Sequence, residues 1–128
     1  MNDEQKRNIF RFLDWQVYKD IRDLRREIKA LIKKKFPKGE QYKLIDQIER
    51  ALNSVCLNIA EGSNKLSDIE LSRYLNNAST SLEEVISGLD LSKDDGYISK
   101  EEFQIFYEKA EKIAKQLIAF GKSVRNKK

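Results

Sequence analysis

The sequence predicts an all-α fold: a single antiparallel four-helix bundle of up-down-up-down topology with a left-handed twist. Three observations carry this reading. Four stretches repeat apolar residues every three or four positions, the period of a helix with one buried face. The connections between them are short, and short connections make consecutive helices antiparallel neighbours. The 128 residues contain one Pro, with 36% charged and 40% apolar side chains, which suits a soluble helical domain better than a disordered chain or a sheet sandwich. The whole chain, 1–128, reads as one domain with helices at about 4–35, 41–62, 68–92 and 99–123 and a basic tail at 121–128.

The first helix carries Phe10, Leu13, Val17, Ile21, Leu24, Ile28 and Leu31 on one stripe, and Pro37 and Gly39 end it. A second line on the same helix, Trp15, Lys19, Arg22, Arg26, Lys29 and Lys33, lies well around from that stripe, roughly 200° from Leu13 to Trp15 at 100° per residue. Such a row is most often a solvated face. The sharper alternatives are a phosphate track, with Trp15 able to stack on a base, or a subunit contact.

The second helix is the organising stretch. Leu44, Ile48, Ala51, Val55 and Ile59 form its apolar stripe, and Gly62 reads as a left-handed stop. A polar line runs beside the stripe: Gln47, Arg50, Ser54, Asn58 and Glu61. The third helix opens at Ser67, with Glu70 completing a capping box, and buries Leu71, Leu75, Ala78, Leu82, Val85 and Leu89 at heptad-like spacing. It has its own polar line, Arg73, Asn77, Ser81 and Glu84. Both lines either face water or join Arg50, Asn58, Glu61, Ser81 and Glu84 in a network that fixes helix register.

The segment 90–103 imitates a calcium loop, with Gly96 at the sixth position and Glu102 at the twelfth. Leu91 and Lys93 would then stand at positions one and three, where the ion needs oxygen ligands. The better reading is a turn at Asp95–Gly96, then an N-cap at Ser99 with Glu102 closing a capping box. The fourth helix carries Phe103, Phe106, Ala110, Ile113, Leu117, Phe120 and Val124, and the tail from Gly121 is expected to fray.

Chemistry is constrained by what the sequence lacks. Without histidine there are no His-based triads, Cys–His dyads or usual zinc sites, and no metal or cofactor is expected. The single Cys56 reads as an inert core thiol, in keeping with a reducing cytoplasm. Glu61 and Glu84 form a carboxylate pair only on paper, because no substrate motif accompanies them, so no catalytic residue is assigned. The N-terminus shows no signal peptide, and no apolar run approaches a membrane span. Charge is uneven. Residues 1–43 carry 13 basic and 7 acidic side chains, residues 44–111 carry 6 and 14, and residues 112–128 carry 6 and none. Basic ends around an acidic middle point to an anionic partner or to self-association. Phe12, Trp15, Tyr42, Leu57, Leu66 and Tyr74 lie off the core stripes, and surplus apolar surface marks association.

Gln47, Arg50-Ala51, Ser54 and Asn58-Ile59-Ala60-Glu61-Gly62 also carry a resemblance, with Val17-Tyr18, Phe36-Pro37, Glu40, Tyr74-Leu75, Ala78, Ser81 and Glu84. They are similar to the signature of a bacterial four-helix-bundle family encoded in intervening sequences of 23S ribosomal RNA genes. The accessory variability protein of diversity-generating retroelements is a related branch. Lys65 stands where the family has Arg, which keeps the charge but loses the planar fork. Thr80 stands where Gly is usual and is expected to widen a close helix contact. The resemblance implies a ring-like homo-oligomer, most simply a pentamer, with genomic links to ribosomal RNA and reverse transcriptase. The expected function is therefore a non-enzymatic oligomer that binds nucleic acid, structured RNA above all. The alternative is an adaptor for a protein partner such as a nucleic-acid enzyme.

Overall fold

A computed structural model describes residues 9–39 and 43–126. It contains a 3-10 turn, Arg11–Asp14, followed by α1 (Gln16–Lys35), α2 (Leu44–Ser63), α3 (Asp68–Asp94) and α4 (Lys100–Arg125), with no strand among the described residues. Each helix touches its two neighbours in chain order, α1 closes the ring against α4, and the diagonal pairs do not approach. Contacts pair in opposite chain order along the α2–α3 and α1–α4 seams, the relation of antiparallel neighbours. Ile48 faces Gly88, Ser54 faces Ser81, and Gly62 faces Tyr74 across α2–α3. Across α1–α4, Asp20 meets Gln116, Glu27 meets Lys109, and Lys35 meets Glu102. No helix of the described residues is long and apolar enough to cross a membrane.

The stripes meet in one core. Ile21, Ile28, Ile48, Leu52, Val55, Ile59, Ala78, Val85 and Leu89 are buried almost completely. At one end, Phe36 from the first connection packs on Tyr97 from the last, ring centroids 5.3 Å apart. Ser99 accepts from the Glu102 N–H at 3.0 Å and its own N–H donates to Glu102 Oε1 at 2.8 Å, so the expected capping box of α4 is complete. At α3 only half forms: Ser67 Oγ accepts from the Glu70 N–H at 3.1 Å. Gly96 takes φ +82° in the expected turn, a conformation that suits glycine.

Several expectations are corrected. A first helix beginning near residue 4 is replaced by α1 beginning at Gln16; residues 1–8 lie outside the described region. Trp15 is extended, at φ −73° and ψ 132°, and separates α1 from the turn before it. The turn is tied down by Arg11, whose Nε–H donates to the Ser63 carbonyl at 2.9 Å. Phe10 is consequently exposed, and the buried stripe of α1 ends on Ile32 rather than Leu31. The second helix starts at Leu44; Glu40, Gln41 and Tyr42 lie outside the described residues. Gly62 is not a left-handed stop but a buried residue inside α2. A Cβ there would meet Tyr74 Cβ at 2.8 Å, so the glycine permits close approach to α3. Thr80 is exposed, its hydroxyl donating to the Asn76 carbonyl at 3.3 Å, so it widens no contact. The segment after Gly121 does not fray at once: α4 continues to Arg125, Val124 is buried, and Arg125 Nη1 donates to Ser72 Oγ at 3.1 Å. The first positions of the would-be calcium loop are the last turns of α3.

Candidate nucleic-acid interface

Helix α1 sorts its charges by side. At 100° per residue, Asp20, Asp23 and Glu27 fall on a strip roughly 110° from the basic row. Asp20 and Glu27 are engaged by α4, through the Gln116 amide at 2.8 Å and the Lys109 ammonium. The core residues Val17, Ile21, Leu24, Ile28 and Ile32 occupy the inward side. This leaves Lys19, Arg22, Arg26, Lys29 and Lys33 as an exposed row facing outward and toward the α2 side. The row rises about 21 Å along the helix, at 1.5 Å per residue. Arg26 pairs with Asp23, and Arg22 lies over the Tyr18 ring, 5.8 Å from its centroid. Lys19, Lys29 and Lys33 have no ion-pair partner among the described residues.

Trp15 does not belong to this row. It precedes α1, so helical spacing does not carry it onto the basic face. Its ring is half-buried, meets Phe120 edge-to-face at 4.9 Å, and is covered by the Arg11 guanidinium at 5.3 Å. Stacking on a base would require Arg11 to leave. Phe12 is similarly occupied, edge-on to Tyr18 at 4.9 Å.

Two cations join the row that spacing alone does not show. Arg25 donates from Nε to Asn53 Oδ1 at 2.9 Å and so faces α2. Lys38 joins Lys29 and Lys33 around a groove of about 540 Å³ floored by Ile32, Phe36, Pro37 and Ile45. Lys38 follows the helix, so no helical period reaches it. Arg22 and Arg25 also act on Cys56. Burial raises that thiol above its ordinary value, and the two guanidinium groups only partly oppose the effect.

The polar lines of α2 and α3 meet in part. Ser54 Oγ and Ser81 Oγ are 2.7 Å apart, and Asn58 Nδ2 donates to the Ser54 carbonyl at 2.8 Å and to Ser54 Oγ at 3.1 Å. The larger network, the alternative to two lines facing water, is not formed among the described residues. Arg50 turns to Asp46 one turn earlier on its own helix. Glu61 and Glu84 are exposed, and their carboxylates bond no described residue. Gln47, Arg50 and Glu84 instead edge an open groove of about 490 Å³ beside Gly88. No group of three possible metal ligands occurs among the described residues. What this surface can do is hold several phosphates by charge.

No curated protein matches the chain. Residues 13–119, most of its length, match the family model of the 23S rRNA-intervening sequence protein. The match spans the basic row, the Ser54–Asn58–Ser81 cluster and the seam closed by Gly62, and on that extent the chain belongs to the 23S rRNA-intervening sequence protein family.

Proposed function

We propose that this chain is a non-enzymatic, cytoplasmic homo-oligomer, a ring of about five copies on the pattern its family resemblance implies, that binds structured RNA through the outward row of α1. The observation that carries this reading is the alignment of Lys19, Arg22, Arg26, Lys29 and Lys33 on one exposed side, with Asp20 and Glu27 engaged by α4 and Asp23 alone paired into the row, on Arg26. Lysine and arginine on a rigid rod contact phosphates at fixed spacing and release condensed counterions. With Trp15 occupied by Phe120 and Arg11, the row lacks the aromatic platform on which single strands stack, which favours backbone recognition of folded RNA. A ring repeats the row, and repetition raises avidity without strengthening any one contact.

The test is a binding titration with a structured RNA. Replacing Arg22, Arg26 and Lys29 together by Glu abolishes binding and leaves helix content unchanged. Undiminished binding by that variant refutes the assignment. A second reading, an adaptor for a protein partner, draws on the exposed Leu57, Leu66 and Ile69. Under it, a partner stays bound to the chain after nuclease treatment and purified RNA does not bind.

A further inference from the structure

Helices α3 and α4 leave an open apolar groove of about 300 Å³ between them, remote from the α1 row. Ile86 and Ala114 are half-buried in it, Tyr107 and Ile118 stand 40% and 53% exposed along its edge, and Glu83 and Glu111 form its rim. An apolar trough with an acidic rim suits an apolar segment flanked by cations. The chain contains such a segment. Ile9 and Phe10 are 89% and 61% exposed, and Lys6, Arg7 and Arg11 flank them in sequence.

The two features do not meet within one chain. The 3-10 turn that follows Phe10 packs on α1 and α2, not on α3, and Arg11 is fastened to Ser63 at the end of α2. We infer that the α3–α4 groove is the socket for the Ile9–Phe10 segment of a second copy of this chain. This rests on the homo-oligomer reading above and names its interface. A two-fold contact of groove against groove would set Glu83 and Glu111 against their own copies, and like charges brought together oppose association. Plug into socket is therefore head-to-tail, the class of contact that closes into a ring when its rotation permits.

The test uses the full-length chain and light scattering coupled to size exclusion, with circular dichroism to verify folding. The substituted side chains are all exposed, so helix content stays at the wild-type value. The wild type has a mass several times 15.0 kDa. The plug variant, Ile9→Glu with Phe10→Glu, and the socket variant, Ile118→Glu, each run as monomers; Tyr107→Glu is a second socket variant. An equimolar mixture of plug and socket variants retains one intact half of each kind and yields a two-chain complex that grows no further. Either variant keeping the wild-type mass, or a mixture that stays monomeric, overturns the interface while leaving the oligomer intact. A monomeric wild type overturns both.

Discussion

The α2–α3 and α1–α4 seams are closed by opposite means. Across α2–α3, side chains are missing. Gly62 lies against Tyr74, Gly88 against Ile48, and the two short hydroxyls of Ser54 and Ser81 bond each other at 2.7 Å. Across α1–α4, side chains are long and polar: Asp20 with Gln116, Glu27 with Lys109, and Lys35 with Glu102. A seam made by absent atoms has no room to adjust, whereas flexible charged arms at the surface lose little when one is shortened. The difference also explains the family motif. Ala51 and Ile59 are core, Asn58 donates to Ser54, and Gly62 sets a distance. Much of the motif therefore specifies a helix pair, and Gln47, Arg50, Glu61 and Glu84 are its exposed members on α2 and α3.

The contrast can be broken by adding volume. Gly62→Leu would drive a side chain into Tyr74 and Leu71 and costs about 3 kcal/mol, the upper end of ordinary overpacking. Gly62→Ala costs less, about 1–2 kcal/mol, because a helical alanine returns about 1 kcal/mol of propensity. Urea unfolding measures both. The control is Gly121→Ala, where a new Cβ meets only the flexible Arg125 Nη1 at 3.4 Å. That variant gains up to about 1 kcal/mol. Equal costs at Gly62 and Gly121 would end the distinction between a fitted and a free glycine.

Removing polar groups sharpens the comparison further. Ser81→Ala breaks the hydroxyl pair and costs about 1 kcal/mol, since Ser54 keeps its Asn58 partner. Lys109→Ala removes an exposed ion pair on the other seam and costs about 0.5 kcal/mol or less. Thermal or denaturant midpoints should rank them in that order.

The smallest effect concerns pH. The Glu102 carboxyl is held below its ordinary value of 4.5, chiefly by the Ser99 N–H and then by Lys35. A carboxyl whose folded pKa is depressed stabilises the fold fully above its unfolded value and loses that contribution as pH falls through the folded one. The denaturation midpoint of the wild type therefore drops, as pH falls through and below 4.5, by slightly more than that of Glu102→Gln. Identical slopes would contradict the capping geometry.

Much of this was legible in the chain itself. The stripes of α2, α3 and α4 are buried as their spacing predicts, except that Leu44, Phe103 and Phe120 are half-buried against the core, and the Ser99–Glu102 box forms. Trp15 misleads because its spacing fits the basic row, while the chain becomes α-helical only after it. Gly62 misleads because a helix-ending glycine and a close-contact glycine look alike until the facing helix is present. Gly88 gives no local signal for the same reason: its need for a bare Cα comes from Ile48, 40 positions away in the sequence. The basic row and its angular separation from Asp20 and Glu27 follow from helical spacing, but the partners that engage those two acids, Gln116 and Lys109, are ones only the fold brings near.

RNA affinity measured against salt tests the central claim most directly. If the α1 row neutralises phosphates, log affinity falls linearly with log salt, by roughly 0.7–0.9 per phosphate contacted. The Lys29→Ala and Lys33→Ala variants should then each flatten the slope by about one contact. Affinity that does not change with salt, or slopes unaltered by these substitutions, would contradict the account.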